Sequence, residues 1–211
     1  LKMSKLGALF TADWKYQLAA AGLVYSAHIG TLTAGADVGL IVGGGNGTTV
    51  DSDQPEMIVG VDAGTYLIPI GLDVMCDIDC DADGEYAEII AFADRTQAPP
   101  TTATGTPGIV TPNNQLDGGA AFGGRCYGGV TTDLTDPVMS EWLAGKYFSG
   151  ADNGTAASAL GQDMNLSKTW TLPKILAGPC EIVICFGGTA AVNGMINFEF
   201  AAVPSSYFPV S

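Results

Sequence analysis

From Ile68 to Cys80 the chain keeps a period of two. Ile68, Ile70, Leu72, Val74, Cys76, Ile78 and Cys80 are apolar, while Asp73, Asp77, Asp79 and Asp81 stand at odd positions. Side chains of an extended strand point alternately to its two faces, so this order predicts one long strand with a buried face and an acidic, wetted one. Asp83-Gly84 then predicts a tight hairpin turn, whose central residues accept positive φ, with a return strand beginning at Tyr86.

The same aspartates invite two chemical readings. Asp79, Asp81, Asp83 and Gly84 fit positions one, three, five and six of a calcium-binding EF-hand loop, but Ile90 stands where the bidentate Glu belongs and no helix precedes them. What is left is a looser calcium site at a hairpin tip or a subunit contact, with Asp79, Asp81 and Asp83 as metal ligands; the plain hairpin needs no cofactor. Asp77 and Asp79 have a separation that would suit a glycosidase pair, yet an exposed strand face gives neither the burial a general acid needs. A Ser-His-Asp triad would have to use His28, which alternates inside an apolar strand, and "GGGNG" (43–47) lacks the lysine and helix of a phosphate loop. The chain reads as a non-enzyme.

Composition narrows the class. With 29 glycines, 11 prolines and 14% charged residues among 211, the chain is poor in the residues of long helices and rich in turn formers, so one all-β domain is expected. A formal net charge of −14 opposes direct contact with nucleic acid or with an anionic membrane. The long apolar stretch 18–44 is interrupted by His28, Asp37 and several glycines, which disfavours a membrane span and suggests a pair of buried strands. The cysteines at 76, 80, 126, 180 and 185 match no zinc spacing, and Cys76 and Cys80 would lie roughly 13 Å apart on one strand, so buried free thiols are expected. Asn46, Asn153 and Asn165 open glycosylation sequons that matter only in a eukaryotic secretory pathway. Because Leu1 rather than Met stands first, the start of the protein and any export signal stay open.

Along the chain, residues 1–22 read as an N-terminal arm or short helix, with Asp13 as N-cap, Trp14 and Leu18 on one side and Gly22 as the stop. Residues 23–203 read as a single β-sandwich of nine or ten strands, including 23–33, 37–44, 56–62, 65–82, 86–94 and the closing runs 180–188 and 190–203. In the last, Ile196, Phe198 and Phe200 are expected on the core and Met195, Asn197 and Glu199 outside. A second helix is predicted from Asp136 as N-cap and Pro137 at the first turn, carrying Val138 and Trp142 to about Tyr147. Residues 95–118, with a short strand near Ile109 and Val110, and 149–165 read as loops, and 204–211 as a C-terminal tail with Tyr207, Phe208 and Val210.

The segments "QPEMIVGVDAGTYLIPIGLDV" (54–74) and "GPCEIVICFGG" with "GMINFEFAAVP" (178–204), set among Gly/Pro-rich loops, resemble the jelly-roll structural proteins of viruses, phages included. The resemblance implies a jelly-roll-like antiparallel sandwich that assembles into a shell, as a capsid, penton or decoration component located in the virion. Its partners would be copies of itself and other virion proteins, met through loops and termini. Unlike many coat proteins of RNA viruses, this chain has no basic arm, so a role away from the genome is expected. A mean hydropathy of +0.27 with 47% apolar residues also favours partner surfaces and homo-oligomers. The rival from another class is a secreted sandwich that binds carbohydrate or serves as an adhesin, which would need an exposed Trp/Tyr platform; Trp14, Trp142 and Trp170 are scattered in sequence.

Overall fold

Two antiparallel sheets face each other in the computed structural model, which describes residues 13–30, 50–79, 85–100, 108–130, 134–149, 162–189 and 191–208. Among the described residues the first element is helix α1 (Trp14–Ala20). Strands β1 (Val24–Ile29), β2 (Met57–Val61), β3 (Thr65–Asp79) and β4 (Tyr86–Asp94) follow. Three short strands come next, β5 (Gly108–Ile109), β6 (Asn113–Asn114) and β7 (Arg125–Gly128). The chain ends with β8 (Glu141–Ser149), β9 (Gln162–Thr169), β10 (Leu176–Ala177), β11 (Cys180–Gly188) and β12 (Ala191–Pro204). Sheet A has the order β10-β3-β12-β1-β6, with β9 also on β3, and sheet B the order β5-β7-β2-β11-β4-β8.

The eight long strands pair in a nested way: β1 with β12, β2 with β11, β3 with β9 and β4 with β8. From β1 to β4 each strand lies in the sheet opposite to the one before. This is the connectivity of a jelly roll, as though one long hairpin had been wrapped into a sandwich. The expected sandwich class is therefore observed.

Two local expectations fail for physical reasons. β3 and β4 lie in different sheets, so Asp83-Gly84 does not join a hairpin, although the second strand does begin at Tyr86. Both sides of β3 are taken by β12 and β9, and Leu72, Val74 and Cys76 share one core with Ala87, Ile89 and Ala91 of β4 across the sandwich. The helix predicted after Asp136 is strand β8. Aromatic residues favour strands, the edge of β4 offers a ladder for the backbone, and the N–H of Val138 goes to the Asp94 carboxylate at 2.7 Å instead of opening a helix.

Between the sheets, Phe186, Phe198 and Phe200 pack with Met57, Leu67, Leu72 and Ile89, all at most 1% exposed. Ile196, Phe198 and Phe200 take the core side of β12 as expected, and Tyr25, Phe122 and Phe200 form a ring cluster with centroids 5.0–5.9 Å apart. The alternation of β3 is subtler than its letters. A register shift places Phe200 opposite Pro69 and Glu199 opposite Gly71, leaving Ile70 as an extra residue. A bulge of one residue exchanges the faces of a strand. Leu72, Val74 and Cys76 therefore enter the central core, while Ile68 and Ile70 turn to the outer face and join Val24, Ala201 and Val203. Helix α1 covers them with Trp14, Leu18 and Ala19, capped by Asp13, which accepts from the Lys15 N–H at 3.1 Å, and ended at Gly22 with φ +69°.

The outer face of sheet B is covered too. Residues Arg95–Pro100 leave β4 and cross the sheet as a strap. Arg125 donates to the Pro99 carbonyl, and the Tyr127 hydroxyl donates to the Pro100 carbonyl at 2.7 Å. A Cβ on Gly60 would collide with the Pro99 ring, so the strap requires glycine there.

Candidate interaction surface

Strand β8 is the last strand of sheet B, and its register sets which side chains look outward. Trp142 lies opposite Phe92, Gly145 opposite Ile90 and Tyr147 opposite Glu88, while Ala144 and Phe148 turn toward the core opposite Ala91 and Ala87. The Trp142 ring lies over Gly145, where any side chain would meet it. Tyr147 stacks on Tyr86 with centroids 5.6 Å apart and planes 23° from parallel. The result is an aromatic strip along one edge, with Trp142 54% and Tyr147 62% exposed.

At one end of the strip stands Glu141, which receives both Arg95 and Lys174. Burial acts to raise the Glu141 pKa, and the two cations outweigh it, Lys174 first, holding the carboxyl below its ordinary range. Val138 and Met139 precede Glu141, and Leu172 and Ile175 flank Lys174; all four are exposed. Lys146 donates to the Asn165 carbonyl at 2.7 Å and ties the edge of sheet B to β9 of sheet A. Exposed apolar and aromatic side chains grouped near one ion network form a candidate contact surface.

The aspartates singled out in the sequence are placed as follows. Asp73 is exposed on β3 and accepts from the Ser167 hydroxyl at 2.6 Å. Asp77 and Asp79 lie on β3 opposite Asn193 and Ala191 of β12. Asp81 and Asp83 lie outside the described residues, as do 43–47. Among the described residues no group of three or more His, Cys, Asp and Glu is arranged to hold a metal ion. His28 is exposed on β1 opposite Asn197. Cys76, Cys126, Cys180 and Cys185 are buried free thiols, and burial pushes the first three up to about 12 and the last well above its ordinary value. Among the described residues no helix is long and apolar enough to cross a membrane.

Trp142 is hidden in the sequence by the helix-start chemistry of Asp136-Pro137, and the run from Trp142 to Phe148 carries no apolar/polar alternation that would reveal the strand. No known protein family, curated protein or solved structure matches this chain.

Proposed function

We propose that the chain is a structural subunit of a virus particle, a shell, penton or decoration component that packs against its own copies and other virion proteins. The observation that carries this reading is the apolar group Val138, Met139, Trp142, Tyr147, Leu172 and Ile175 around the Arg95–Glu141–Lys174 network. Jelly-roll connectivity supports it, since that architecture tiles readily into shells. Magnitudes fit a many-contact assembly. Burying six such side chains at about 1.5–3 kcal/mol each is of the same order as the ~4–15 kcal/mol that association costs, so one contact is weak and a closed array is stable. The net charge of −14 supports a position away from the genome.

A second reading rests on the Trp142–Tyr147–Tyr86 strip, which is the aromatic platform a carbohydrate-binding module needs. One experiment separates the two. The protein and its Trp142→Ala/Tyr147→Ala variant are compared by light scattering, electron microscopy and glycan array, with and without a calcium chelator. Particles lost in the variant support assembly, whereas glycan binding by a stable monomer supports the second reading. Dissociation by chelator would support a bound calcium, for which Asp79, Asp81 and Asp83 are the candidates in the sequence.

A further inference from the structure

One row of residues crosses the outer face of sheet B beneath the strap. Asp94 of β4 pairs with Glu181 of β11, Glu181 with Gly60 of β2, and Gly60 with Arg125 of β7. Asp94 is 0% and Glu181 2% exposed. Their surroundings differ sharply. Asp94 accepts from the Thr96 N–H and hydroxyl, both at 2.6 Å, and from the Val138 N–H at 2.7 Å. Burial acts to raise its pKa, and these bonds, Thr96 first, outweigh it and hold it below the ordinary carboxylate range.

Glu181 has no such donors. No hydrogen bond from a described residue reaches its carboxyl, which borders a cavity of about 80 Å³ under the strap, beside Gln97, Pro100 and Thr135. Such a space has room for a few waters, too few to hydrate a carboxylate as bulk water does. Burial, and then the Asp94 charge beside it, push Glu181 up to about 8. Among the described residues, the other charged or titratable groups on this side are Arg125 and Tyr127 from β7, Asp62 after β2, Arg95 on the strap, Asp136, whose carbonyl accepts from Gln97, and, farther along β11, Cys185 with the acids Glu56, Asp51 and Asp53 acting on it. Arg125 is committed to Asp62 by two bonds of 2.6 and 2.9 Å, so it pulls Glu181 down only in part.

We propose that Glu181 is a proton-operated latch: as the neutral acid it lets the strap Arg95–Pro100 seat over sheet B, and on losing its proton it drives the strap off the sheet. The strap is the part that gives way because its Gln97, Ala98 and Pro100 wall the cavity above Glu181; leaving the sheet breaks the bonds that the Pro99 and Pro100 carbonyls accept from Arg125 and Tyr127 and those that Thr96 and Gln97 donate to Asp94 and to the Thr135 and Asp136 carbonyls. An opened Glu181 ionises near the ordinary value of about 4.3 and a seated one near 8, so between these values the seated state holds one more proton. Seating is then favoured at low pH, and the opening constant rises about tenfold per pH unit until roughly 8, where it levels. This latch does not depend on the assembly reading.

The test is amide hydrogen exchange at Thr96, Gln97 and Ala98 from pH 5 to 9, corrected for intrinsic exchange, in the wild type and in Glu181→Gln. A tenfold rise per pH unit in the wild type that disappears in the variant is expected. A flat profile in the wild type, or the same slope in both proteins, would overturn the proposal. Should Glu181→Gln fail to fold, a carbon-13 titration of the glutamate carboxyls in the unmodified protein decides: one glutamate titrating near 8 together with the strap amides supports the latch, and all titrating near the ordinary value refutes it.

Discussion

Gly60 is where the strap meets the sheet, and its missing side chain is what lets Pro99 lie flat there. Gly60→Val should lower stability by about 1–3 kcal/mol through overpacking, measured by thermal or urea unfolding. An unchanged midpoint would mean that the strap is not seated as described. Asp94 adds an acid-side dependence. Its folded pKa is depressed, so its stabilisation is present above the unfolded pKa and is lost as pH falls through the lower folded value; Asp94→Asn should flatten that part of the unfolding profile. The thiols give a third check. With pKa values near 12, Cys76, Cys126 and Cys180 should react with a thiol reagent on the order of a thousandfold more slowly in the native protein than in the unfolded chain. The burial of Cys76 was legible as an apolar step of an alternating strand, whereas Cys126 beside Arg125 and Cys180 between Pro179 and Glu181 carry no comparable local pattern. Glu181 was legible too, as the only charge in the nine residues of "CEIVICFGG", but nothing local says which face of the sheet it takes or that a strap covers it. Gly60 carried no signal, because the partner that requires it comes 39 residues later.

Single elements show why periodicity succeeds in one place and misleads in another. β4, β11 and β12 were readable because their apolar residues and lengths leave little choice. In β3 the apolar letters run unbroken at even positions while the buried face changes at Ile70, and the sequence hides this because α1 buries the outer face there as well. Leu18→Ala should therefore destabilise the protein by roughly 1–2 kcal/mol, less than a full core truncation, because Leu18 is only partly buried against Ile68 and Ile70. β8 failed in the other direction. Asp136-Pro137 has the chemistry of a helix start, but Asp94 takes the N–H of Val138 and β4 supplies a ladder, so tertiary partners outweigh the local signal. Trp142→Ala on this strand should leave the unfolding midpoint within about 0.5 kcal/mol, as expected of an exposed side chain, while weakening any association.

At the scale of the molecule, sandwich class and strand count were close to what alternation and turn residues imply, whereas the sheet assignment of each strand was not. Strands that follow one another closely in sequence, such as β3 and β4, lie in opposite sheets, and only the nested pairing of β1 with β12 through β4 with β8 tells where each belongs. Pairings over such separations leave no trace in local pattern. A chain with a charge of −14 repels its own copies, so assembly through the β8 surface should strengthen as salt rises from about 0.05 to 0.5 M and screening shortens the repulsion. The most direct measurement is the mass of the purified protein in solution, with electron microscopy of the same sample. Rings or shells that fall apart when Trp142 and Tyr147 are replaced are the predicted result; a monodisperse particle of 21.6 kDa at every salt and protein concentration would contradict the proposed role.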